Sequence, residues 1–525
     1  MALFVAINAK YVHTSLSVRY LQTVAGEDGK IFECSINDSI TKVSEDIFKT
    51  GEKHILFSCY LWNIEMVLKI SEILKKADEN IIITLGGPEV SFRAEEMLKK
   101  HSFIDHIITG EGETKIKEIV KNPPDRGVYD FGVVENLDDL TFPYKKGELS
   151  TLKNRLVYYE TSRGCPFSCA FCLSSAKKGV RYRSLSLVKD EIMEFINSGV
   201  RLVKLVDRTF NSDNKRALEL VEFIKENSKN TSFHFEVKAE TMSDELIDSL
   251  ADAKEGLFQL EIGVQTTDSE TLKRINRREN FDKLKSVVER LSKNKGLHLH
   301  LDLIAGLPKE SFKTFKKSFN DVYMLKPHDL QLGFLKKLSG AKITDKDGVF
   351  SSFPPYEVIK TEGISYLDIV MLKDVCGVLE RLYNSGVFKN TLELLEKEYE
   401  TPFDMFYDFS SFYDFKESIS QKRLYEVVYE FIEKKGLGEG FKNALIYDFC
   451  LCNRDCLSFM TTPSDMKQKA FSFLKDDEKV KMFFGEYIDL KPTERYKKLR
   501  FEQIGDKIFA FDPAKHKACD VTKYI

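Results

Sequence analysis

The sequence of 525 residues has no run approaching the roughly 18 consecutive apolar residues that cross a bilayer as a helix. Its opening, MALFVAINAK, lacks the basic segment and long apolar core of a secretory signal, so neither export nor membrane anchoring is expected. Cysteine is scarce, 10 residues in all, which excludes a disulfide-dense scaffold. An excess of one charge is missing too. Lys and Arg number 79 against 82 Asp and Glu, a net charge of −3, which argues against a protein that coats a polyanion. No G-x-G-x-x-G follows the first predicted strand, so the fingerprint of a dinucleotide site is absent. Low-complexity tracts and solenoid-range repeats are absent as well. What is present, 42% apolar and 31% charged residues, suffices for several cores. At roughly 150 residues per domain the expectation is three or four folded units, in a cytoplasmic multidomain enzyme.

Hydrophobic periodicity divides the chain into an N-terminal domain (1–125), a linker (126–155), a second domain (156–345) and a C-terminal domain (346–525). The first alternates β-branched runs at Leu3–Asn8, Ile31–Ile36, His54–Cys59, Ile81–Leu85 and Ile104–Ile108 with helix-like stretches. Five such units predict a Rossmann-like α/β domain with a parallel sheet covered on both faces. Ligands in such sheets bind at the carboxyl ends of the strands. Pro123, Pro124 and Pro143, with three glycines, mark the linker. Strand patterns return at Leu156–Glu160, Leu202–Val206, Ser232–Val237, Phe258–Val264, His298–Ile304 and Asp329–Leu335. Six βα units fit a (βα)6 partial TIM barrel better than a closed eight-unit one. Beyond residue 346 the pattern is mostly helical, with an aromatic cluster at Phe403–Phe415 that reads as a helical core.

Cys165, Cys169 and Cys172 form C-x3-C-x2-C in TSRGCPFSCAFC, directly after the first barrel strand. Thiolates on one loop suit iron–sulfur or zinc sites. A structural zinc site asks for four ligands, and no further Cys or His follows nearby. Three cysteines leave one iron of a four-iron cluster open to a substrate or cosubstrate.

With these residues the chain resembles the radical S-adenosylmethionine (SAM) superfamily, the aromatic Phe171 before the third cysteine included. The resemblance implies a [4Fe-4S] cluster on Cys165, Cys169 and Cys172 whose unique iron binds SAM. Reductive cleavage of SAM would yield a 5′-deoxyadenosyl radical. The segments VDRTF, LEIGVQT and DLIAGLPKE match further, which implies SAM contacts at Phe171, Asp207, Glu261, Gln265 and Asp302.

The α/β domain ahead of the barrel resembles the cobalamin-binding class of that superfamily. His13 lies in the loop after strand one, Ser58 is 45 residues later and Gly86-Gly87 starts 28 after that, close to the spacing of cobalamin-binding domains. The aspartate and glycine that accompany the histidine there are Tyr11 and Leu16 here, so no carboxylate orients His13. The resemblance implies corrinoid contacts at Tyr11, His13, Ser58, Tyr60, Trp62, Gly86, Gly87, Pro88, Glu89, Gly110 and Glu111. NAKYVHTSLSVRYL, SCYLWN and LGGPEVSF are similar to a branch of the class that carries its own helical C-terminal domain.

Together these resemblances imply a cobalamin-dependent radical SAM enzyme that methylates an unactivated carbon of a small molecule or peptide. The implied partner is an external one-electron reductant of flavodoxin or ferredoxin type. A non-methylating outcome such as cyclisation or rearrangement, and a non-enzymatic corrinoid or iron–sulfur carrier or sensor, are the alternatives. Lys273, Arg274, Arg277 and Arg278 form a basic patch, weak evidence for nucleic acid because a helix C-terminus attracts such charges. A second cysteine group, Cys450, Cys452 and Cys456 with Cys519, sits in an apolar helix-like context. On a helix Cys450 and Cys452 point apart, so no second metal site is expected there.

Overall fold

The structure, a computed structural model, describes every residue except 177–178, 295 and 416–418, and only the backbone of 175–176. Residues 1–327 and 332–366 form one compact unit, residues 328–331 and 367–525 a second.

The first unit opens with β1 (Ala2–Asn8), β2 (Gly29–Ser35), β3 (His54–Ser58), β4 (Ile82–Gly86), β5 (His106–Thr109) and β6 (Gly127–Asp130). They form one sheet in the order β2-β1-β3-β4-β5-β6, with every pair parallel. Strands this apolar need cover on both faces. Val43, Ile47, Val67, Ile70 and Leu74 supply it on one side, and Val18, Ile116, Ile119 and Val120 on the other. The chain runs outward from β1 to β2, then resumes at β3 on the opposite flank of β1. Their carboxyl ends therefore part at a topological switch point, the usual ligand crevice of such sheets.

The sixth strand is a difference from expectation, because β6 lies within the stretch read as linker. Prolines 123 and 124 halt the preceding helix, and only four residues then pair with β5, too few for a legible period. Past β6 the linker packs Val134, Leu137 and Leu140 around Tyr20.

The barrel follows with β7 (Val157–Tyr159), β8 (Ser162–Cys165), β9 (Gly179–Tyr182), β10 (Leu202–Leu205), β11 (Ser232–Val237), β12 (Phe258–Gln265), β13 (His298–Ala305) and β14 (Asp329–Phe334). Six of these form an open sheet in the order β14-β13-β12-β11-β10-β7. Helices Leu185–Ser198, Asn214–Asn227, Asp244–Ala251, Phe281–Leu291 and Phe312–Tyr323 connect them. β8 and β9 pair separately as an antiparallel ribbon that brackets the cysteine loop, a feature absent from the sequence reading. A short ribbon of β15 (Val349–Phe350) and β16 (Val358–Lys360) completes this unit.

The second unit is mostly helical, with helices at Pro402–Phe412, Gln421–Lys434, Glu439–Cys452 and Met466–Lys475. The aromatic cluster forms its core, where the Phe409 ring lies 4.5 Å from that of Phe431. One departure is a three-stranded antiparallel sheet, β17 (Arg500–Ile504), β18 (Lys507–Asp512) and β19 (Lys517–Asp520). Its signal was in the sequence, since Gly505 adopts a positive φ of 60° in the tight connection between two short alternating runs.

Candidate active-site cavity

The carboxyl ends of both sheets in the first unit open into one cavity of about 780 Å3. That lies toward the upper end of the roughly 300–1,000 Å3 typical of ligand sites. From the N-terminal sheet it is lined by His13, Ser17, Ser58, Tyr60, Trp62, Gly86, Gly87, Pro88, Gly110 and Glu111. From the barrel side come Tyr158, Glu160, Arg163, Lys204, Arg208 and Glu236.

Of the expected corrinoid contacts, nine reach the wall and two do not. Tyr11 points away, 81% exposed, with Arg155 over its ring. Glu89 is buried behind the wall, where one carboxylate oxygen accepts from Arg93 (2.7 Å) and from the hydroxyl of Tyr356 (2.6 Å). Gly87 also has a different reason from the one its position suggested. Its φ is 109°, and a Cβ there would stand 2.6 Å from the Cys59 carbonyl oxygen. Backbone packing between β3 and β4 demands the glycine, whether or not a ligand approaches. Tyr60 and Trp62 stack with centroids 4.3 Å apart and planes 5° from parallel, giving the wall a flat aromatic face. Ser17 links Ser58 (3.0 Å) and the Tyr60 hydroxyl (3.2 Å) into a polar row beside it.

His13 has the orienting partner that its own loop lacks. Its Nδ1 lies 2.6 Å from the hydroxyl of Tyr158, 145 residues away. Burial and the nearby charges of Lys10, Lys204 and Arg155 lower its pKa, which favours the neutral ring.

Glu111 does more than line the wall. It accepts from Arg163 (3.0 Å), Arg181 (2.5 Å) and the Val134 N–H (2.8 Å). Against its burial cost these donors hold the carboxyl down to about 2. Arg163 in turn meets Glu113 (2.9 Å) and Glu160. An ion network therefore staples the loop after β5 to β8, two residues before the first cysteine.

The cysteine loop itself hangs between β8 and β9. Gly164 has a φ of 109°, and a Cβ there would collide with the Gly179 carbonyl oxygen. Only glycine lets the ribbon close at that point. Cys165, Cys169 and Cys172 are all half-buried, and Cys165 Sγ lies 3.5 Å from the Thr209 hydroxyl. Among the described residues no three His, Cys, Asp or Glu side chains converge on a single ion. A cluster that takes one thiolate on each of three irons does not ask for that. Three thiols free of disulfides on one anchored loop are a donor set that fits a four-iron cluster.

The expected SAM contacts lie outside the large cavity's wall, in three places. Asp207 is an internal anchor, 1% exposed, accepting from Thr161 N–H (2.7 Å) and from the hydroxyls of Thr161 (2.6 Å) and Ser162 (2.5 Å). Burial still pushes its carboxyl up to about 6. It ties the start of β8 to the end of β10. Glu261, Gln265 and Asp302 line the inner face of the barrel sheet. Lys204 (2.8 Å) and His234 (2.9 Å) satisfy Glu261, whose carboxyl is held down to about 2 despite its burial. His300 Nε2 stands 3.1 Å from Asp302. Gln265 has a strained φ of 70° and a buried amide oxygen with no hydrogen-bond partner among the described residues. Phe171 is half-buried on the cysteine loop, whose neighbouring Ala170 N–H donates to the Ile275 carbonyl (2.8 Å).

Lys204, Arg208, Glu236 and Tyr158 are cavity residues that the motif reading missed. For the three that lie on strands, Tyr158, Lys204 and Glu236, the signal is period two. Each barrel strand alternates buried apolar residues with polar ones, as in Phe233-His234-Phe235-Glu236, and the polar set shares one face. Burial, with the charge of Glu261, pushes the Glu236 carboxyl up to about 7. Arg208 has no ion-pair partner among the described residues.

The late cysteines are dispersed within the second unit. Cys450 is buried near the end of its helix, Cys452 closes that helix with Sγ 3.5 Å from His516 Nδ1, and Cys456 lies past the helix end beside Arg500 (3.7 Å). No helix of the structure is long and apolar enough to cross a membrane, among the described residues.

Comparison with known proteins adds three family matches: "B12 binding domain" over residues 2–120, "Radical SAM superfamily" over 159–322 and "Protein of unknown function (DUF4080)" over 346–524. The chain is 26% identical over 276 residues to an uncharacterized methyltransferase of Pyrococcus horikoshii, covering 46% of this chain and 58% of that protein. It is 25% identical over 366 residues to the cobalamin-dependent radical SAM methyltransferase TokK of Streptomyces tokunonensis, covering 62% of this chain and 53% of TokK. The chain thus spans little more than half the length of these relatives. Among solved structures, the radical SAM methyltransferase TsrM of Kitasatospora setae, with cobalamin and a [4Fe-4S] cluster bound, superposes with a TM-score of 0.54 at 16% identity. That likeness covers 65% of this chain and 76% of TsrM. The cobalamin-dependent radical enzyme OxsB gives 0.53 at 13%, over 86% of this chain and 72% of OxsB. The chain thus carries a B12-binding domain followed by a radical SAM domain, and its curated matches include a cobalamin-dependent radical SAM methyltransferase.

Proposed function

We propose that this protein is a cobalamin-dependent radical SAM enzyme that methylates an unactivated carbon of a small molecule or peptide. The observation that carries the reading is the one cavity shared by the strand ends of both sheets, to whose wall β8, the strand leading into the cysteine loop, contributes Arg163. Cys165, Cys169 and Cys172 would hold the cluster, while the Tyr60–Trp62 face, Ser58 and Gly86 would border a corrinoid. When bound, those groups supply a SAM-derived carbon radical and a transferable methyl group, so the chain's own side chains carry no bond-breaking step.

What the chain supplies is position and shielding. The Glu111–Arg163 network fixes the distance between the two halves of the wall, on which two-centre chemistry depends. Leu16, Leu21, Leu56, Ile108 and Val206 make much of the wall apolar, which keeps water from a reactive intermediate. Arg208 offers a charge-assisted donor to an anionic group of the substrate. Glu236 holds or releases a proton near neutrality at a carboxyl facing the same space. His13, held by Tyr158, ties the loop after β1 to β7 and serves as a positioning residue.

The test is anaerobic reconstitution of the full chain with iron, sulfide and hydroxocobalamin, followed by reduction with methyl-labelled SAM. Expected are 5′-deoxyadenosine and, in extracts profiled by mass spectrometry, a product carrying the label. A reduced, fully loaded protein that never cleaves SAM would overturn the reading. Cleavage without label transfer would reassign it to a non-methylating outcome.

A further inference from the structure

The basic run of residues 273–278 comes apart in the structure. Lys273 pairs with Glu270 (2.6 Å) at the surface, and Arg274 pairs with Asp347. Arg277 turns inward. Its side chain is only 11% exposed and is gripped at three points. Nε donates to Glu279 Oε2 (2.5 Å), one terminal nitrogen donates to the Gly263 carbonyl, and the other, NH1, lies 3.9 Å from Cys169 Sγ.

The surrounding contacts show a built arrangement. The turn carrying Arg277 docks on the cysteine loop through backbone and side chain alike. Ile275 accepts from the Ala170 N–H (2.8 Å), and Asn276 Nδ2 donates to both the carbonyl (3.0 Å) and the hydroxyl (2.6 Å) of Ser168. Asn276 holds a positive φ of 52° to do so. A second cation, Lys238, stands over the ring of Phe167 at 5.0 Å, between the first two cysteines. Two carboxylates, Glu240 and Glu279, neutralise these cations from behind, each with one buried oxygen left without a hydrogen bond among the described residues. Four buried charges at one loop are costly to assemble, and a surface ion pair would not need them. The arrangement brings an arginine N–H, already charge-compensated, to one cysteine sulfur.

We infer that Arg277 donates to the Cys169 sulfur and thereby sets the reduction potential of the cluster on the cysteine loop, with Glu279 as the residue that aims it. This rests on the assignment of the cluster to Cys165, Cys169 and Cys172. One electron entering from an external low-potential donor makes the cluster one unit more negative, with no proton taken up. A hydrogen bond and a positive charge at a ligating sulfur favour that reduced state, so they raise the potential. Arg277 thus eases the electron transfer that must precede SAM cleavage. It acts through the Cys169 sulfur, as a positioning residue.

The experiment is an anaerobic redox titration, followed by EPR, of the reconstituted full chain and its variants, with iron content measured on each sample. Arg277→Met should still load about four irons yet lose about tenfold in the reduction equilibrium, a downward shift of about 59 mV for one electron. Arg277→Lys, which keeps the charge without the fork, should fall between the two. Glu279→Gln keeps an acceptor for the arginine Nε but removes a negative charge from behind it, so it should shift the potential upward by less, and supplies the answer if Arg277→Met does not fold. Lys273→Gln, outside the cluster of contacts, should leave the potential unchanged. Equal potentials in wild type, Arg277→Lys and Glu279→Gln at equal iron content would overturn the inference while leaving the cluster in place. Failure of the wild type to load a cluster would instead overturn the assignment on which it stands.

Discussion

The two sheets of the first unit look alike in topology and differ in what they bury. In the N-terminal sheet β1 and β3 are buried at every residue, so both faces are packed and chemistry is left to the loops at the carboxyl ends. In the barrel sheet β12 and β13 alternate buried and half-buried residues over eight positions each, and six of the eight half-buried residues are His, Glu, Asp or Gln. One sheet is a platform and the other a polar bowl. The difference teaches where substitutions will be felt. Changes within the platform strands act on stability, whereas changes on the bowl's inner face act on charge and protons.

The sharpest break in that comparison is at the cysteine loop. Replacing Cys165, Cys169 and Cys172 together by Ala should abolish iron loading and SAM cleavage, while corrinoid binding by the platform, read from its visible spectrum, survives. Loss of corrinoid binding in the same variant would mean that the two halves are not separable. Next in size is Gly87→Ala. The positive φ and the Cys59 carbonyl at 2.6 Å should cost at least roughly 1–3 kcal/mol of stability, measured by denaturant unfolding, with iron loading retained.

The pH response should separate the sheets further, because their buried groups are perturbed in opposite senses. His54, on β3, is pushed down to about 3 by burial and by His106. Its Nε2 is 2.8 Å from the Thr84 hydroxyl, which sits 3.0 Å from His106 Nδ1, and His106 Nε2 faces the Pro124 carbonyl at 2.9 Å. The unfolded chain binds a proton at this histidine below pH 6.5 and the folded chain does not until about pH 3. Stability is therefore lost as pH falls through that window, by up to about 1.4 kcal/mol per unit. His54→Gln should flatten the acid limb of the unfolding midpoint plotted against pH. Glu236 runs the other way. Its raised carboxyl pKa favours the folded state below the ordinary value of 4.5, and that advantage fades as pH rises to about 7. Glu236→Gln should remove a fall in stability as pH rises from 4.5 to about 7, and a change confined to pH below 4.5 would refute the assignment.

The smallest effect is expected in the second unit. Substituting Ser for Cys450, Cys452 and Cys456 should leave the iron and zinc content of the reconstituted protein unchanged. Loss of about four irons, or of one zinc, would place a second metal site on the 439–456 segment.

The sequence by itself determined the strand–helix alternation behind the two parallel sheets and the cysteine loop, because each is written locally. Runs of β-branched residues at strand length, helical periods between them and three cysteines within eight residues need no distant partner to be legible. Even Lys204 and Glu236 were written in the period-two pattern of their strands, though motif matching alone passed over them. Only the tertiary structure decided the rest. It brought Tyr158 to His13, turned Glu111 from a wall residue into a staple for Arg163 and Arg181, and left Tyr11 and Glu89 off the cavity. It also split one basic run into a surface pair, a loop pair and an arginine aimed at Cys169. Most of these outcomes depend on which side chains meet across fifty or more residues of chain. Charge compensation and backbone clearance are settled by those meetings, and no local pattern encodes them.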